Sequence, residues 1–244
     1  ASRVTLEDGD EVTVTSDKYP GTIIVRIEGA HFGERSLVMP YGAKLKDALA
    51  RLRPAPQAKV EAIQLFRKSV AARQKELLMA SLRSLETYAL TARSATSEEA
   101  ALRTREGEQI IDFVERARQL QPRGQVVLAK GTDAGETLLE NEDVLVVPER
   151  TNVVVVSGEV LLPNAVLFDA GAGAEDYVAR AGGYTQGADQ ARLVLVRQDG
   201  SIDDARKAKL DPGDQVLVLP KIETKNIEVT RGITQILFQI AVAV

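Results

Sequence analysis

Two glycine-containing segments are the first candidates for chemistry, because glycines between a strand and a helix can cradle a phosphate group. One runs from Gly171 through Gly173 to Asp176, and the other runs from Gly42 to Asp47. The first lacks the third glycine of a dinucleotide-binding fingerprint, the second has a single glycine, and only a short helical pattern follows each. Both are typical of a plain strand-to-helix turn, so we expect no cofactor.

Acidic side chains form two clusters that could in principle hold a metal ion. The clusters are Asp199, Asp203 and Asp204, and Glu136, Glu140, Glu142 and Asp143. Neither has the spacing of a calcium-binding loop, so we predict solvated turn residues and no metal site. An Asp/Glu pair for acid–base catalysis stays open, since it needs only proximity in space.

Histidine and cysteine chemistry is almost missing from the sequence. His31 is the only histidine, and there is no cysteine. Disulfides, thiolate metal sites and cysteine nucleophiles are excluded, and a single histidine disfavours triads and multi-histidine metal sites. We expect no catalytic, cofactor-binding or metal-binding residue, and the residues that contact substrate or other subunits are unknown from sequence.

The composition is that of a folded protein without a nucleic-acid surface. Of the 244 residues, 44% are hydrophobic and 27% charged, enough to bury a core. The net charge of −4 argues against nucleic acid, and 4% aromatic residues without tryptophan poorly supply a cleft of stacked rings for sugars. No apolar run is long enough to span a membrane and no signal peptide is visible. We expect a fragment of a longer precursor.

An internal repeat organises the chain. Aligning Gly29 with Gly158 sets an offset of 129 residues, and it places Val160 opposite His31, which argues against a shared role for the histidine. The same offset matches further pairs without a gap: Val38 with Leu167, Gly42 with Gly171, Asp47 with Asp176, Ala50 with Ala179, and Arg51 with Arg180. A chance match does not keep register over such a length, so the pattern indicates a duplicated module.

Each copy predicts the same order of elements: two strands, a short helix, a third strand and a closing strand. The first copy has Ile23–Ile27, Ser36–Met39, Leu45–Leu52, Ala62–Arg67 and Leu139–Pro148; the second has Val153–Val156, Ala165–Phe168, Ala174–Ala181, Leu193–Arg197 and Leu210–Pro220. Asp and Arg four residues apart on each helix predict an ion pair, with a role in subunit contacts left open. This order predicts an α+β fold of tandem β-grasp domains.

The predicted domain organisation has four parts. A third closing phrase, Leu6–Val14, assigns residues 1–18 to the end of a preceding module. Residues 19–150 form the first β-grasp domain and residues 151–222 the second. The first contains an antiparallel helical hairpin at about 68–121, inserted into a β-hairpin, with helices at about 68–94 and 97–120. The apolar residues at helical spacing are Leu78, Leu82, Leu85 and Ala89, then Ile110, Val114 and Ala117.

Residues 223–244 predict the start of a C-terminal amphipathic helix. Ile233, Ile236, Leu237 and Ile240 lie at i, i+3, i+4 and i+7, which makes one apolar face. We expect this segment to be the root of a membrane helix whose apolar face meets lipid. The alternative is a helix that packs on the second β-grasp domain.

Three segments of the second copy resemble a known family: Val155–Val166, Ala179–Ala188 and Leu210–Pro220. They look like the SLBB, or soluble-ligand-binding β-grasp, domain of outer-membrane polysaccharide export proteins of the Wza/KpsD-like family. The first copy is similar once the helical insertion is removed. Residues Arg231–Val244 resemble the stretch that leads into the family's C-terminal membrane helix.

The resemblance implies a periplasmic part of an outer-membrane translocon that exports capsular or extracellular polysaccharide in a Gram-negative bacterium. Copies would stack into a homo-oligomeric ring with SLBB walls, together with inner-membrane export machinery, the polysaccharide and the outer membrane. Such a conduit needs no enzyme chemistry and no nucleic acid. Two alternatives are a module that binds a small ligand or glycan in a concave pocket, and a glycan-processing enzyme with two carboxylates across a cleft.

Overall fold

The computed structural model describes residues 21–91, 97–128 and 134–221, together with residues 232, 233 and 236. The first copy contains, in chain order, β1 (Thr22–Gly29), β2 (His31–Phe32), β3 (Ser36–Pro40), α1 (Leu45–Leu49), β4 (Arg53–Pro54), β5 (Gln64–Phe66), α2 (Lys68–Thr91), α3 (Ser97–Arg118), β6 (Gln125–Val126) and β7 (Val144–Val147). The second copy contains β8 (Val153–Gly158), β9 (Asn164–Leu167), α4 (Ala174–Arg180), β10 (Ala188–Val196), β11 (Ile202–Asp204) and β12 (Gln215–Pro220).

The two copies fold into sheets of identical topology. The first sheet has the order β3-β1-β7-β5-β6, and the second has the order β9-β8-β12-β10-β11. In each sheet the first strand runs parallel to the closing strand, β1 with β7 and β8 with β12, and the other pairs are antiparallel. The predicted α+β fold of duplicated β-grasp domains is confirmed.

Each sheet buries one face under its short helix. Alternation along β1 places Ile23, Val25 and Ile27 in the core, where Leu45 and Ala48 of α1 cover them. In the second copy Val154 and Val156 pack in the same way against Tyr177 and Val178 of α4. The opposite face of each first strand points to solvent.

Some element bounds differ from the sequence prediction. Val60–Ala62 forms a 3-10 turn, so the third strand of the first copy begins at Gln64 rather than Ala62. The equivalent strand β10 begins at Ala188, earlier than the predicted Leu193, because an irregular register between these residues lets it continue along β12.

The helical hairpin replaces a tight turn. In the second copy β10 and β11 are joined through Arg197, whose N–H donates to Ser201 O at 2.9 Å. In the first copy Arg67 N–H donates to Gly124 O at the same distance of 2.9 Å, and α2 and α3 lie between the two residues. The predicted hairpin inside a β-hairpin is confirmed, and its interface contains the predicted apolar residues: Leu78, Leu82, Leu85, Ala89, Ile110, Val114 and Ala117.

The C-terminal segment meets this hairpin. Gly232, Ile233 and Ile236 are helical, and Ile236 is fully buried in the cluster that α2 and α3 form. Ile236 therefore lies neither on a lipid-facing surface nor against the second β-grasp domain, as the two sequence-based alternatives expected. The other residues of the predicted C-terminal helix lie outside the described part of the chain.

The two modules contact each other directly. Lys59 Nζ donates to Pro212 O at 2.9 Å, and the Gln64 side-chain amide donates to Gln198 O. In the short linker between the sheets, Arg150 Nε donates to Ala58 O at 3.1 Å. These contacts join the first module to the loops that flank β10 and β12 in the second.

Candidate functional site

A buried ion pair stands at the same place in each module. In the first, Arg67 follows β5 and donates from Nη2 to Asp143 Oδ2 at 2.8 Å and from Nε to Oδ1 at 3.0 Å. Asp143 immediately precedes β7 and also accepts the Glu140 N–H at 2.8 Å, while Arg67 Nη2 donates to Leu138 O at 2.7 Å. The hydrogen bond to Asp143 is the main reason why the pKa of Arg67 is raised.

The second module repeats this arrangement. Arg197 follows β10 and donates from Nη1 to Asp214 Oδ2 at 2.9 Å, and Asp214 precedes β12 and accepts the Asp211 N–H at 2.8 Å. Arg197 Nη2 donates to Lys209 O at 3.1 Å. Burial raises the pKa of the Asp214 carboxyl, opposed by the Asp211 N–H and the Arg197 charge. We name these two sets the Arg–Asp pairs.

The acidic clusters are therefore not simply solvated turn residues. Asp143 is only 1% exposed, which makes that prediction wrong for this residue. Glu136 contacts Lys44 and Lys46, and hydrogen bonds from these two lysines lower its pKa to about 2.

Cations also occupy most of the remaining acids. These ion pairs are Glu140–Arg67, Glu142–Lys68, Asp203–Arg197 and Asp204–Lys207. Asp199 instead accepts the N–H and hydroxyl of Ser201 in a turn. Within the described ranges no group of three or more His, Cys, Asp or Glu side chains could hold a metal ion.

The two glycine segments serve as helix caps. The Asp47 carboxylate accepts the Lys44 N–H, and the Asp176 carboxylate accepts the Gly173 N–H, each at 2.8 Å. Asp169 accepts the Gly171 N–H at 3.0 Å. Because these amides already bind carboxylates, a phosphate would have to displace a like charge.

The predicted ion pair along each short helix is wrong. Arg51 donates to Val38 O at 3.3 Å, and Arg180 pairs with Asp169 at 2.7 Å. The hydrogen bond to Asp169 is the largest contribution to the raised pKa of Arg180. Both arginines thus attach the helix to the second strand or to the loop that follows it.

An open groove surrounds the tip of the hairpin that β1 and β3 form. The main cavity has a volume of about 580 Å³ and is lined by Arg26, Arg35, His31 and Phe32. An adjoining cavity of about 290 Å³ shares His31 and Phe32 and adds Arg53. We call the two together the tip groove.

The conformation of this tip depends on a histidine and a short strand pair. His31 Nε2 donates to Ile27 O at 3.1 Å in the tautomer protonated there, so its other ring nitrogen can accept a hydrogen bond. β2 pairs with β4, which sets Phe32 opposite Arg53. Phe32 remains 63% exposed, which is unusual for a large aromatic side chain without a partner.

Both modules expose an apolar cross-strand pair on the uncovered face of the sheet. Ile24 of β1 pairs with Val38 of β3, and Val153 of β8 pairs with Leu167 of β9. These positions correspond in the repeat, and Val38 and Leu167 are 61% and 66% exposed. β3 and β9 are also edge strands of their sheets in the described structure. We call these residues the edge pairs.

The fold and these surfaces define a tandem β-grasp protein, and the SLBB domain family matches residues 153–203. Two curated relatives, both named polysialic acid transport protein KpsD of Escherichia coli, are each 48% identical to this chain over 238 residues. The aligned part is 97% of this chain and 42% of each relative. The chain is thus a relative of the Wza/KpsD-like polysaccharide export proteins and carries an SLBB domain, which confirms the resemblance. It spans less than half the length of these relatives.

Sequence reasoning located the modules but missed the Arg–Asp pairs. A signal was available, since an arginine ends the third strand and an aspartate precedes the closing strand in both copies. The insertion changes the separation between them, so a fixed offset of 129 residues does not align both members at once. The tip groove is not visible in the sequence, because its arginines come from three separate elements.

Proposed function

We propose that this chain is a structural section of an outer-membrane polysaccharide exporter, located in the periplasm of a Gram-negative bacterium. The observation that carries the proposal is the similarity over 97% of the chain to proteins named for polysialic acid transport. In this proposal copies of the chain form a ring around the passage of the polymer. Residues 1–18 end a preceding module, 19–150 and 151–222 are wall modules, and 223–244 lead towards the outer membrane.

A structural rather than enzymatic role agrees with how the carboxylates are used. Asp143 and Asp214 are buried in the Arg–Asp pairs, and the acids of the loops bind lysines, arginines or backbone amides. A glycoside-cleaving site needs two carboxyl groups facing each other across a cleft. The tip groove has Glu28 and Glu34 on its lining, but they lie in different cavities.

Ring formation is supported by the edge pairs. Solvent-exposed positions have no packing reason to stay apolar, yet both copies keep a large apolar residue at the position of Val38 and Leu167. A neighbouring copy of the chain has the same two modules in the same order, so one lateral contact can be made twice. The free edges of β3 and β9 leave backbone groups available beside each pair.

The helical hairpin supports a contact with another subunit or another part of the export machine. It projects from the position of a tight turn and is not needed to complete the sheet of the first module. None of the helices in the described ranges is long and apolar enough to cross a membrane. A contact in the periplasm with the inner-membrane export machinery therefore fits the hairpin.

The function is tested by the double variant Val38→Glu, Leu167→Glu in the full-length protein, produced in cells that lack the wild-type protein. We expect loss of surface polysaccharide, because two charges buried between subunits are unfavourable. The control is Leu77→Glu, Leu90→Glu on α2, where both leucines are exposed. Unchanged export by the edge variant would argue against the ring contact, and normal surface polysaccharide in cells without the protein would argue against the export function.

A further inference from the structure

The tip groove is a cationic surface on an acidic protein. The chain has a net charge of −4, yet the groove presents Arg26, Arg35 and Arg53. Within the described residues none of these three guanidinium groups makes an ion pair, unlike Arg67 and Arg197. Guanidinium groups are planar donors that match carboxylates, and unpaired ones can accept an anionic partner.

The second module does not keep these charges. The repeat places Val155 opposite Arg26, Asn164 opposite Arg35, and Gly182 opposite Arg53. The modules share their topology and their Arg–Asp pairs, so folding of a β-grasp domain does not require the three arginines. Their presence in the first copy alone indicates a role specific to that surface.

Phe32 adds an apolar platform to the charges. Its ring is 63% exposed, and register places it opposite Arg53. Leu161 occupies the matching position in the second module and is also exposed, at 60%, but it has no ring. An aromatic face beside guanidinium groups suits a sugar residue that has both an apolar ring face and a carboxylate. The groove thus recognises charge with one ring, and it does not need the stack of rings that the composition argued against.

We propose that the tip groove binds a carboxylate-bearing saccharide, with Arg35 and Arg53 holding carboxylates and Phe32 packing on a sugar ring. The cavity of about 580 Å³ lies within the range of about 300–1,000 Å³ that is typical of ligand sites. This inference rests on the proposed function for the class of polymer, because it treats the groove as a contact for an acidic polymer in transit. Binding by a single chain does not depend on ring formation.

The test is an NMR titration of the isotope-labelled full chain with a sialic acid hexamer, and with a neutral glucose hexamer as the comparison ligand. We expect shifts of backbone amides in β1, β2 and β4 with the acidic hexamer only. The double variant Arg35→Gln, Arg53→Gln should weaken binding by about ten-fold. Raising the salt concentration should also weaken it, because the contacts are exposed to solvent.

Two matched controls separate the groove from general charge and general exposure. Arg73→Gln, Arg83→Gln removes two charges from the exposed face of α2 and should leave the affinity unchanged. Phe32→Ala should weaken binding, whereas Leu161→Ala at the equivalent position of the second module should not. The amide spectra of all variants report whether they are folded.

Three results would overturn the inference: no binding of the acidic hexamer, equal binding of the neutral hexamer, or equal loss in the α2 control. Displacement by inorganic sulfate at matched ionic strength as effective as displacement by unlabelled hexamer would reduce the groove to a simple anion site and would also overturn it. Failure here would leave the ring proposal standing, since that proposal is tested by subunit assembly and export.

Discussion

The buried Arg–Asp pairs attach the closing strand of each module to its third strand. Arg67 and Arg197 each follow the third strand, and Asp143 and Asp214 each precede the closing strand. These carboxylates are almost inaccessible to water, so each depends on its arginine and on one backbone N–H for compensation.

Removing the arginine alone should therefore be strongly destabilising. We expect Arg67→Met and Arg197→Met each to lower the free energy of unfolding of its module by about 3 kcal/mol, because a buried carboxylate loses its partner. Urea unfolding followed by circular dichroism measures this change. Arg73→Met on the exposed face of α2 is the control, with an expected loss below about 0.5 kcal/mol. Losses below about 1 kcal/mol in both module variants would contradict the assigned role.

Two matching glycines permit a close approach of strands. Gly29 and Gly158 have φ of 91° and 84°, and a Cβ atom there would lie 2.2 Å from Val147 O and 2.1 Å from Val218 O. Gly42 has a similar φ of 85° but nothing within 4 Å of an added Cβ atom.

Alanine substitution should separate the clash from the backbone strain. Gly42→Ala should lose about 1 kcal/mol from the left-handed backbone alone. Gly29→Ala and Gly158→Ala should each lose clearly more, about 2 kcal/mol or above, because the carbonyl must also move. Thermal unfolding of the three variants checks the order. Equal losses would show that the close approach to the carbonyl is not tight.

Sequence predicted the matched glycines but not the partners of the charged residues. The offset of 129 residues identified Gly29 with Gly158, and the conformation that both adopt explains why neither copy has a side chain there. Asp47 and Asp176 were expected to bind arginines one helical turn later, but in the structure they accept backbone N–H groups at the helix start. Helical spacing brings two side chains within reach, but it does not show which nearby donor binds the carboxylate.

At the scale of elements, the hairpin of α2 and α3 occupies a position that the second module closes with a turn. The residues Gln198 to Gly200 make that turn between Arg197 and Ser201. Replacing residues 68–123 by Gln-Asp-Gly should therefore leave β5 paired with β6, because Arg67 N–H can still reach Gly124 O. Both β-grasp domains should remain folded while export or assembly is impaired.

Hydrogen exchange of the excised variant measures this outcome. Protection of the β1, β5 and β7 amides should be retained, and the same experiment reports any loss in the second module. Full export activity of the excised variant would reject a contact role for the hairpin. Loss of protection throughout the first sheet would show instead that the hairpin is needed for folding.

The hairpin also holds the C-terminal segment through Ile236. Truncation to alanine should lower the stability of the helical cluster by about 2–4 kcal/mol, because a fully buried isoleucine leaves a cavity. Hydrogen exchange of the α2 and α3 amides measures the loss. Leu90→Ala is the control, since Leu90 is 70% exposed. Unchanged exchange in the Ile236 variant would mean that the contact does not hold the segment.

The apolar spacing of the hairpin helices and of the C-terminal segment was visible in the sequence, but their mutual contact was not. Periodicity identifies the face of a helix that will be buried and leaves open which surface covers it. Ile236 lies on the predicted apolar stripe, and the structure pairs that stripe with Leu78, Leu82 and Val114 instead of lipid.

At the scale of the whole molecule, tandem modules with matching exposed edge pairs suit a wall made of repeated subunits. Each copy of the chain presents Val38 and Leu167 at equivalent places on two sheets of identical topology. Two small contacts that form together are stronger than either alone, because the second closes within an assembly already joined. This explains how modest apolar patches could hold a large ring together.

The most direct test of this account is the native mass of the full-length protein in detergent. We predict one discrete, large assembly of many identical subunits, and a shift to small species in the variant Val38→Glu, Leu167→Glu but not in the variant Leu77→Glu, Leu90→Glu. A full-length protein that is monomeric would contradict the ring and would favour an independent ligand-binding module.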